Sequence, residues 1–210
     1  MDLKRFEQMP LLGILRGISE ADVVPLVETV IGSGLGTIEI TMNTTSAAAI
    51  IKKVVKAAGK KLVVGAGTVL SKDDFLAAVD AGASFIVMPA CIGEVMALCR
   101  KQKIPAFPGA LTPTEVFNAW NAGAAMVKVF PAGLFGPKYI KELKGPYDRI
   151  KLMAVGGVDT ANIAEFFSCG ADAVAFGASV FRKEWLEKKD FASIGKLVKE
   201  YVDKVKKVVG

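Results

Sequence analysis

A single lysine interrupts the run Met126-Val127-Lys128-Val129-Phe130, which otherwise reads as a strand buried on both faces. Two-residue alternation puts Lys128 on one side with Met126 and Phe130, and Val127 and Val129 on the other. Burial disfavours the ammonium form, so such an amine is neutral and nucleophilic more often than a surface lysine. Schiff-base chemistry with a carbonyl compound requires that state. The bland alternative is a lysine paired with a core carboxylate, and alternation alone leaves both readings open. Lys151 is the contrast: it lies in another apolar run, Ile150–Val155, but near its N-terminal end. Glu39 is the obvious partner for Lys128. In Thr37-Ile38-Glu39-Ile40-Thr41 the polar residues share one face and the isoleucines the other. A strand of a parallel sheet covered on both sides should be apolar on both faces, so the polar face needs a reason. Either Glu39 forms a structural ion pair with Arg16 or Lys128, or it moves protons as a general acid and base.

Composition narrows the chemistry further. The chain of 210 residues contains no histidine, and its three cysteines, Cys91, Cys99 and Cys169, form no C-x-x-C pair. Ser-His and Cys-His nucleophiles, histidine bases and histidine metal ligands are therefore excluded. Zinc and iron–sulfur sites lose their usual ligands, so no metal is expected, and a disulfide scaffold does not fit. Lysine, carboxylates, hydroxyls, arginine and the backbone remain. Gly65-Ala66-Gly67-Thr68-Val69-Leu70 begins like a dinucleotide fingerprint but lacks the third glycine, and the chain has no Walker A motif. The net charge of +6 is concentrated near the end: residues 181–210 hold nine Lys/Arg against five Asp/Glu. Phe191 and Tyr201 recur with the apolar face of the closing segment rather than with its lysines, so a solvated helix face is expected and nucleic acid is not. Neither a signal-peptide core nor an apolar run of about 18 residues is found, which points to a soluble, cytoplasmic protein with no membrane partner.

The elements that must position these residues alternate along the chain. Eight strands are expected at Leu12–Arg16, Thr37–Thr41, Leu62–Gly65, Phe85–Met88, Pro105–Pro108, Met126–Phe130, Ile150–Val155 and Ala173–Phe176. Amphipathic helices are expected at Glu20–Ser33, Ser46–Ala58, Lys72–Ala81, Gly93–Gln102, Pro113–Ala122, Pro137–Leu143, Thr160–Cys169 and Asp190–Val209. Four handovers from helix to strand carry glycine at matching places: Gly34, Gly82, Gly123 and Gly170. Glycine ends helices in the left-handed conformation, so these mark repeated βα construction. Eight βα units predict an α/β fold, a single (β/α)8 TIM barrel over residues 1–210 with a short N-terminal helical segment. An open flavodoxin-like sheet is the weaker alternative.

In such a barrel, chemistry gathers at the C-terminal strand ends. Arg16, Glu39, Thr41, Thr68, Pro89, Lys128 and Phe130 fall there. Gly156-Gly157 and Gly177-Ala178-Ser179 follow the seventh and eighth strands, where unblocked backbone N–H groups commonly bind phosphate.

These strings together resemble the class I 2-keto-3-deoxy-6-phosphogluconate (KDPG) and 4-hydroxy-2-oxoglutarate (KHG) aldolases. The match runs through Gly13-Ile14-Leu15-Arg16-Gly17, Ile38-Glu39-Ile40-Thr41, Val64–Leu70, Phe85-Ile86-Val87-Met88-Pro89 and Pro108-Gly109. It continues with Thr112-Pro113-Thr114-Glu115, Val127-Lys128-Val129-Phe130-Pro131 and Gly156-Gly157. The resemblance implies a (β/α)8 barrel, a homotrimer, and a retro-aldol lyase that needs no cofactor and releases pyruvate from a phosphorylated keto-deoxy sugar acid. It implies Lys128 as the Schiff-base lysine and Glu39 as the proton shuttle. Arg16, Thr68 and Pro89 would surround the pyruvyl end, Phe130 would wall the pocket, and the two glycine loops would take phosphate through backbone N–H groups or the Ser179 hydroxyl. Asn43 and Val155 stand where gluconate-type members carry arginine and threonine, which is closer to the galactonate type. Met88 stands where the family usually has Ser or Thr, so a pocket hydroxyl is expected to be missing. Two other readings of the residues are a phosphosugar-binding barrel without turnover and a phosphosugar isomerase or epimerase. The first needs neither Lys128 nor Glu39, and the second would call for paired carboxylates or a metal.

Overall fold

A computed structural model describes residues 1–209. Its strands are β1 (Leu11–Leu15), β2 (Thr37–Thr41), β3 (Val63–Gly67), β4 (Ile86–Val87), β5 (Ala106–Phe107), β6 (Gly109–Ala110), β7 (Val127–Val129), β8 (Leu152–Val155) and β9 (Ala173–Phe176). All pairings are parallel, in the order β5-β4-β3-β2-β1-β9-β8-β7-β6. The ends of that order, β5 and β6, are consecutive pieces of one bent strand separated by Pro108, so the sheet closes on itself. Proline has no N–H to add to a ladder, and the strand breaks there. On one side Phe107 O accepts from Met88 N, and on the other Pro108 O accepts from Lys128 N at 2.9 Å. The fold is a (β/α)8 barrel. The fifth strand expected at Pro105–Pro108 is the piece that divides.

Helices follow the strands in turn: α2 (Val23–Gly32), α3 (Ala47–Ala58), α4 (Lys72–Asp80), α5 (Gly93–Gln102), α6 (Pro113–Asn121), α7 (Pro137–Lys144), α8 (Ile163–Ser168) and α10 (Phe191–Val209). α6 starts where its sequence says it should. Pro113 occupies the first turn, and Thr112 and Glu115 exchange hydrogen bonds with each other's backbone N–H in a capping box. The four handover glycines all sit at positive φ, between 84° and 97°. Two further short α-helices and two 3-10 turns, Glu20–Asp22 and Ala132–Leu134, are present among the described residues. Of the two helices, α1 (Leu3–Gln8) precedes the barrel, and α9 (Lys183–Glu187), which the periodicity did not reveal, lies between β9 and α10.

Side chains divide into two layers. Leu12, Phe85, Val87, Phe107, Met126, Met153, Val155, Ala173 and Ala175 pack inside the barrel. Phe6 of α1 closes the bottom, its ring 6.0 Å edge-on from Phe107. Ile38, Ile40, Ile86, Met88, Val127, Val129 and Val174 point outward against the helices. Alternation therefore holds on β7 as expected, with Met126 inside and the valines outside. Lys151, at the N-terminal end of its strand, pairs with Glu7 of α1 and belongs to this lower end.

Candidate active site

Glu39 on β2 and Lys128 on β7 project into the upper end of the barrel. Both are buried, at 1% and 7% exposure. The space for Glu39 is made by a glycine in the neighbouring strand. A Cβ on Gly67 would lie 2.6 Å from Glu39 Cδ and would overlap Oε1. Glu39 Oε2 is buried without a hydrogen-bond partner. None of the ion pairs among the described residues involves Glu39 or Lys128, so the core-pair reading of Lys128 is not realised as a contact.

Burial sets the protonation of both groups. Desolvation raises the Glu39 carboxyl from 4.5 to about 7, against the opposing pull of the Lys128 and Arg16 charges. Desolvation likewise lowers Lys128 from its ordinary value. The Glu39 charge works against that shift, and the Arg16 charge adds to it. Lys128 Nζ lies 5.0 Å from the centre of the Phe130 ring, which walls it on one side. The pair amounts to a lysine biased toward the free amine beside a carboxyl that titrates near neutrality, which suits nucleophilic and proton-transfer chemistry.

Both groups face one cavity of about 830 Å³. Arg16, Thr68, Pro89, Phe130 and Val155 line it, together with Gly156, Gly157, Gly177, Ala178 and Ser179. Gly156 and Gly157 have φ of 84° and 81°, a conformation that L side chains rarely adopt. Gly157 also packs on Gly133, whose Cα would be 2.7 Å from an added Cβ. The N–H groups of Gly157, Ala178 and Ser179 find no hydrogen-bond partner in the protein among the described residues. Free N–H groups on two adjacent loops form a receptor for an anion. The cavity thus has a buried amine and carboxyl at one end and free backbone N–H groups at the other.

A model of the KDPG and KHG aldolase family matches residues 3–197. The chain belongs to that family, and with it to the lyases. This aldolase is 37% identical to the 2-dehydro-3-deoxy-6-phosphogalactonate aldolase of Escherichia coli K12, over 83% of the chain and 86% of that protein. Its fold superposes on the solved structure of native KDPGal with a TM-score of 0.89 at 33% identity, covering 95% of this chain and 96% of that one. A KDPG aldolase from Legionella pneumophila, with pyruvate captured as a covalent carbinolamine, superposes with a TM-score of 0.85 at 25% identity, covering 92% and 94%.

Not every residue expected at the aldolase site reaches the cavity. Thr41 is buried outside the lining, its hydroxyl 3.0 Å from that of Thr44, which in turn accepts the Gly17 N–H at 3.1 Å. That arrangement braces the loop after Arg16 from behind. Asn43 is exposed and lies outside the lining. Met88 faces the helix layer, so it neither lines the cavity nor costs it a hydroxyl. Conversely, the cavity wall includes Asp22, Asp159, Phe181, Lys183 and Leu186, which sequence reasoning did not single out. Lys183 and Leu186 belong to α9, too short for a periodic signal. Asp22 and Asp159 carried no pattern that separates a rim residue from an ordinary turn.

Proposed function

We propose that this protein is a Schiff-base aldolase that cleaves 2-keto-3-deoxy-6-phospho sugar acids to pyruvate and glyceraldehyde 3-phosphate. The observation that carries the reading is the pair of buried, unpaired groups, Lys128 and Glu39, facing one cavity with their protonation shifted toward neutrality. The free amine of Lys128 adds to the C2 ketone, and its proton passes to the oxygen to give a carbinolamine. Glu39, as the carboxylic acid, protonates the departing hydroxyl; water leaves and an iminium forms. The resulting carboxylate takes the C4 hydroxyl proton. The C3–C4 electron pair flows into the iminium, the aldehyde departs and the enamine of pyruvate remains. Glu39 returns its proton to C3, water hydrolyses the iminium to pyruvate and the free amine of Lys128, and the proton released restores the Glu39 acid.

The rest of the lining serves the two ends of such a substrate. Arg16, with Thr68 and Pro89, holds the pyruvyl carboxylate, and Phe130 shields the imine. The N–H groups of Gly157, Ala178 and Ser179 take the phosphate. Val155 lines the cavity without a hydroxyl, so both C4 epimers are accepted, the galactonate type at least as well as the gluconate type. Cleavage of 4-hydroxy-2-oxoglutarate to pyruvate and glyoxylate uses the same steps. By the same resemblance the protein is a single-domain, cytoplasmic homotrimer. A covalently captured pyruvate in the Legionella pneumophila enzyme supports the imine route.

The test is reductive trapping. Borohydride in the presence of pyruvate should add a pyruvyl-derived mass to the peptide bearing Lys128 and to no other lysine. Labelling of Lys151, or cleavage that persists without any adduct, would overturn the mechanism.

A further inference from the structure

Tyr201 is a buried hydroxyl that the mechanism leaves unused. It sits on α10, outside the barrel wall, and is 1% exposed. The helical spacing that makes it a core residue explains the ring but not the oxygen. Its hydroxyl donates to the Val158 carbonyl at 3.1 Å, and stands 3.4 Å from the Ser179 hydroxyl. Its ring packs on Phe176, with centroids 4.7 Å apart. Val158 directly follows Gly156-Gly157, Phe176 directly precedes Gly177, and Ser179 closes the second loop. One side chain therefore touches both anion loops at three points.

We propose that Tyr201 is a positioning residue that sets the spacing of the two loops and so the aim of their N–H groups at the substrate phosphate. This rests on the placement of phosphate given above. A phenol has one proton, and the Val158 carbonyl can only accept. The tyrosine proton is therefore committed to Val158, and Ser179 must be the donor in its contact with Tyr201. A serine that donates to the tyrosine behind the loop does not donate to a phosphate in front of it. The anion is then held by backbone N–H groups, and the Ser179 side chain works through Tyr201 by fixing the turn at Gly177–Val180. That turn is closed by Val180 N and Phe181 N, both donating to Gly177 O, which leaves the intervening N–H groups free.

The test compares wild type with Tyr201→Phe, which keeps the ring and loses only the oxygen. A hydrogen bond of this kind corresponds to roughly three- to tenfold in an equilibrium constant. KM for the phosphorylated keto-deoxy acid should rise by about that factor, with kcat within about twofold and KM for the unphosphorylated acid unchanged. Ser179→Ala, at an exposed position where misfolding is not a concern, should raise the same KM, and the double variant should be no worse than the weaker single variant. An equal rise for both substrates, no rise for either, or additive effects of the two substitutions would overturn the assignment. Titration with inorganic phosphate separates this outcome from a failure of the catalytic reading. Trapping at Lys128 by pyruvate involves no phosphate and judges the aldolase mechanism alone. The clip is judged by phosphate affinity, which Tyr201→Phe should weaken by the same factor. Phosphate binding equal in both proteins, or absent from both, overturns it.

Discussion

At the scale of single residues, the site depends on a carboxyl kept without a partner. Glu39 Oε2 is fully buried and accepts no hydrogen bond, an arrangement that charges the folded state for every ionised carboxylate. The consequence is a pH dependence of stability with a definite sign. The unfolded carboxyl titrates at 4.5 and the folded one at about 7. Between those values the folded protein binds more protons, so its stability falls as pH rises through the window, by at most about 1.4 kcal/mol per pH unit. Glu39→Gln should remove that fall. Urea denaturation from pH 4.5 to pH 8 should show the wild type losing ground relative to the variant, most steeply below pH 7. The same substitution should lower kcat by about 10²- to 10⁴-fold, the usual worth of a positioned acid–base group. Parallel pH profiles for the two proteins would mean that Glu39 is not the strained group.

At the scale of elements, neighbouring strands approach so closely that glycine is required for space rather than for dihedral freedom. Gly67 on β3 leaves room for Glu39, and Gly109 on β6 lies where an added Cβ would overlap the Pro89 carbonyl. The two contacts differ in what can move. A methyl at Gly67 meets the end of a side chain, which can swing aside at the expense of its aim. A methyl at Gly109 meets backbone at the seam where the barrel closes. Gly67→Ala should therefore fold, with thermal stability close to wild type, and lose activity by about 10²-fold through a displaced carboxyl. Gly109→Ala should lose more than about 3 kcal/mol of stability, among the largest effects of single substitutions. Melting temperatures and kcat measured together distinguish the cases. An active Gly67→Ala would show that Glu39 tolerates displacement.

At the scale of the whole molecule, the barrel brings β2 and β7 to face one another across a cavity whose far wall is made by the loops after β8 and β9. That span, from Lys128 to the free N–H groups, suits a substrate with an electrophilic carbonyl at one end and an anion at the other. Among the described residues no three His, Cys, Asp or Glu side chains group so as to hold a metal ion. In the proposed mechanism an iminium supplies the electron sink that a metal ion supplies elsewhere. Activity should therefore survive exhaustive EDTA treatment unchanged, as followed by pyruvate release. A loss restored by added divalent cation would count against the imine route.

Much of this organisation is local and therefore legible in the chain itself. Strand periodicity depends only on successive residues, so it set Lys128 and Glu39 on the faces opposite the valines and isoleucines, and barrel closure decided which of those faces is inward. Helix periodicity and the handover glycines likewise marked where most helices begin and end. A bend depends on what both neighbours of a strand accept, which is why the division at Pro108 was not apparent. Met88 went the other way: its place in a matching string suggested a pocket position, yet alternation along β4 turns it to the helices. Thr41 has the same side of β2 as Glu39 by pattern, but its hydroxyl is taken by Thr44, three residues on, and it does not line the cavity. Tyr201 shows the limit most clearly. Its spacing within α10 made it a core residue, and only the packing of that helix against the barrel put its oxygen between Val158 and Ser179, residues 43 and 22 positions away in sequence. Periodicity records which way a side chain points. What it meets there is set by contacts between distant segments, and those exist only once the barrel has closed.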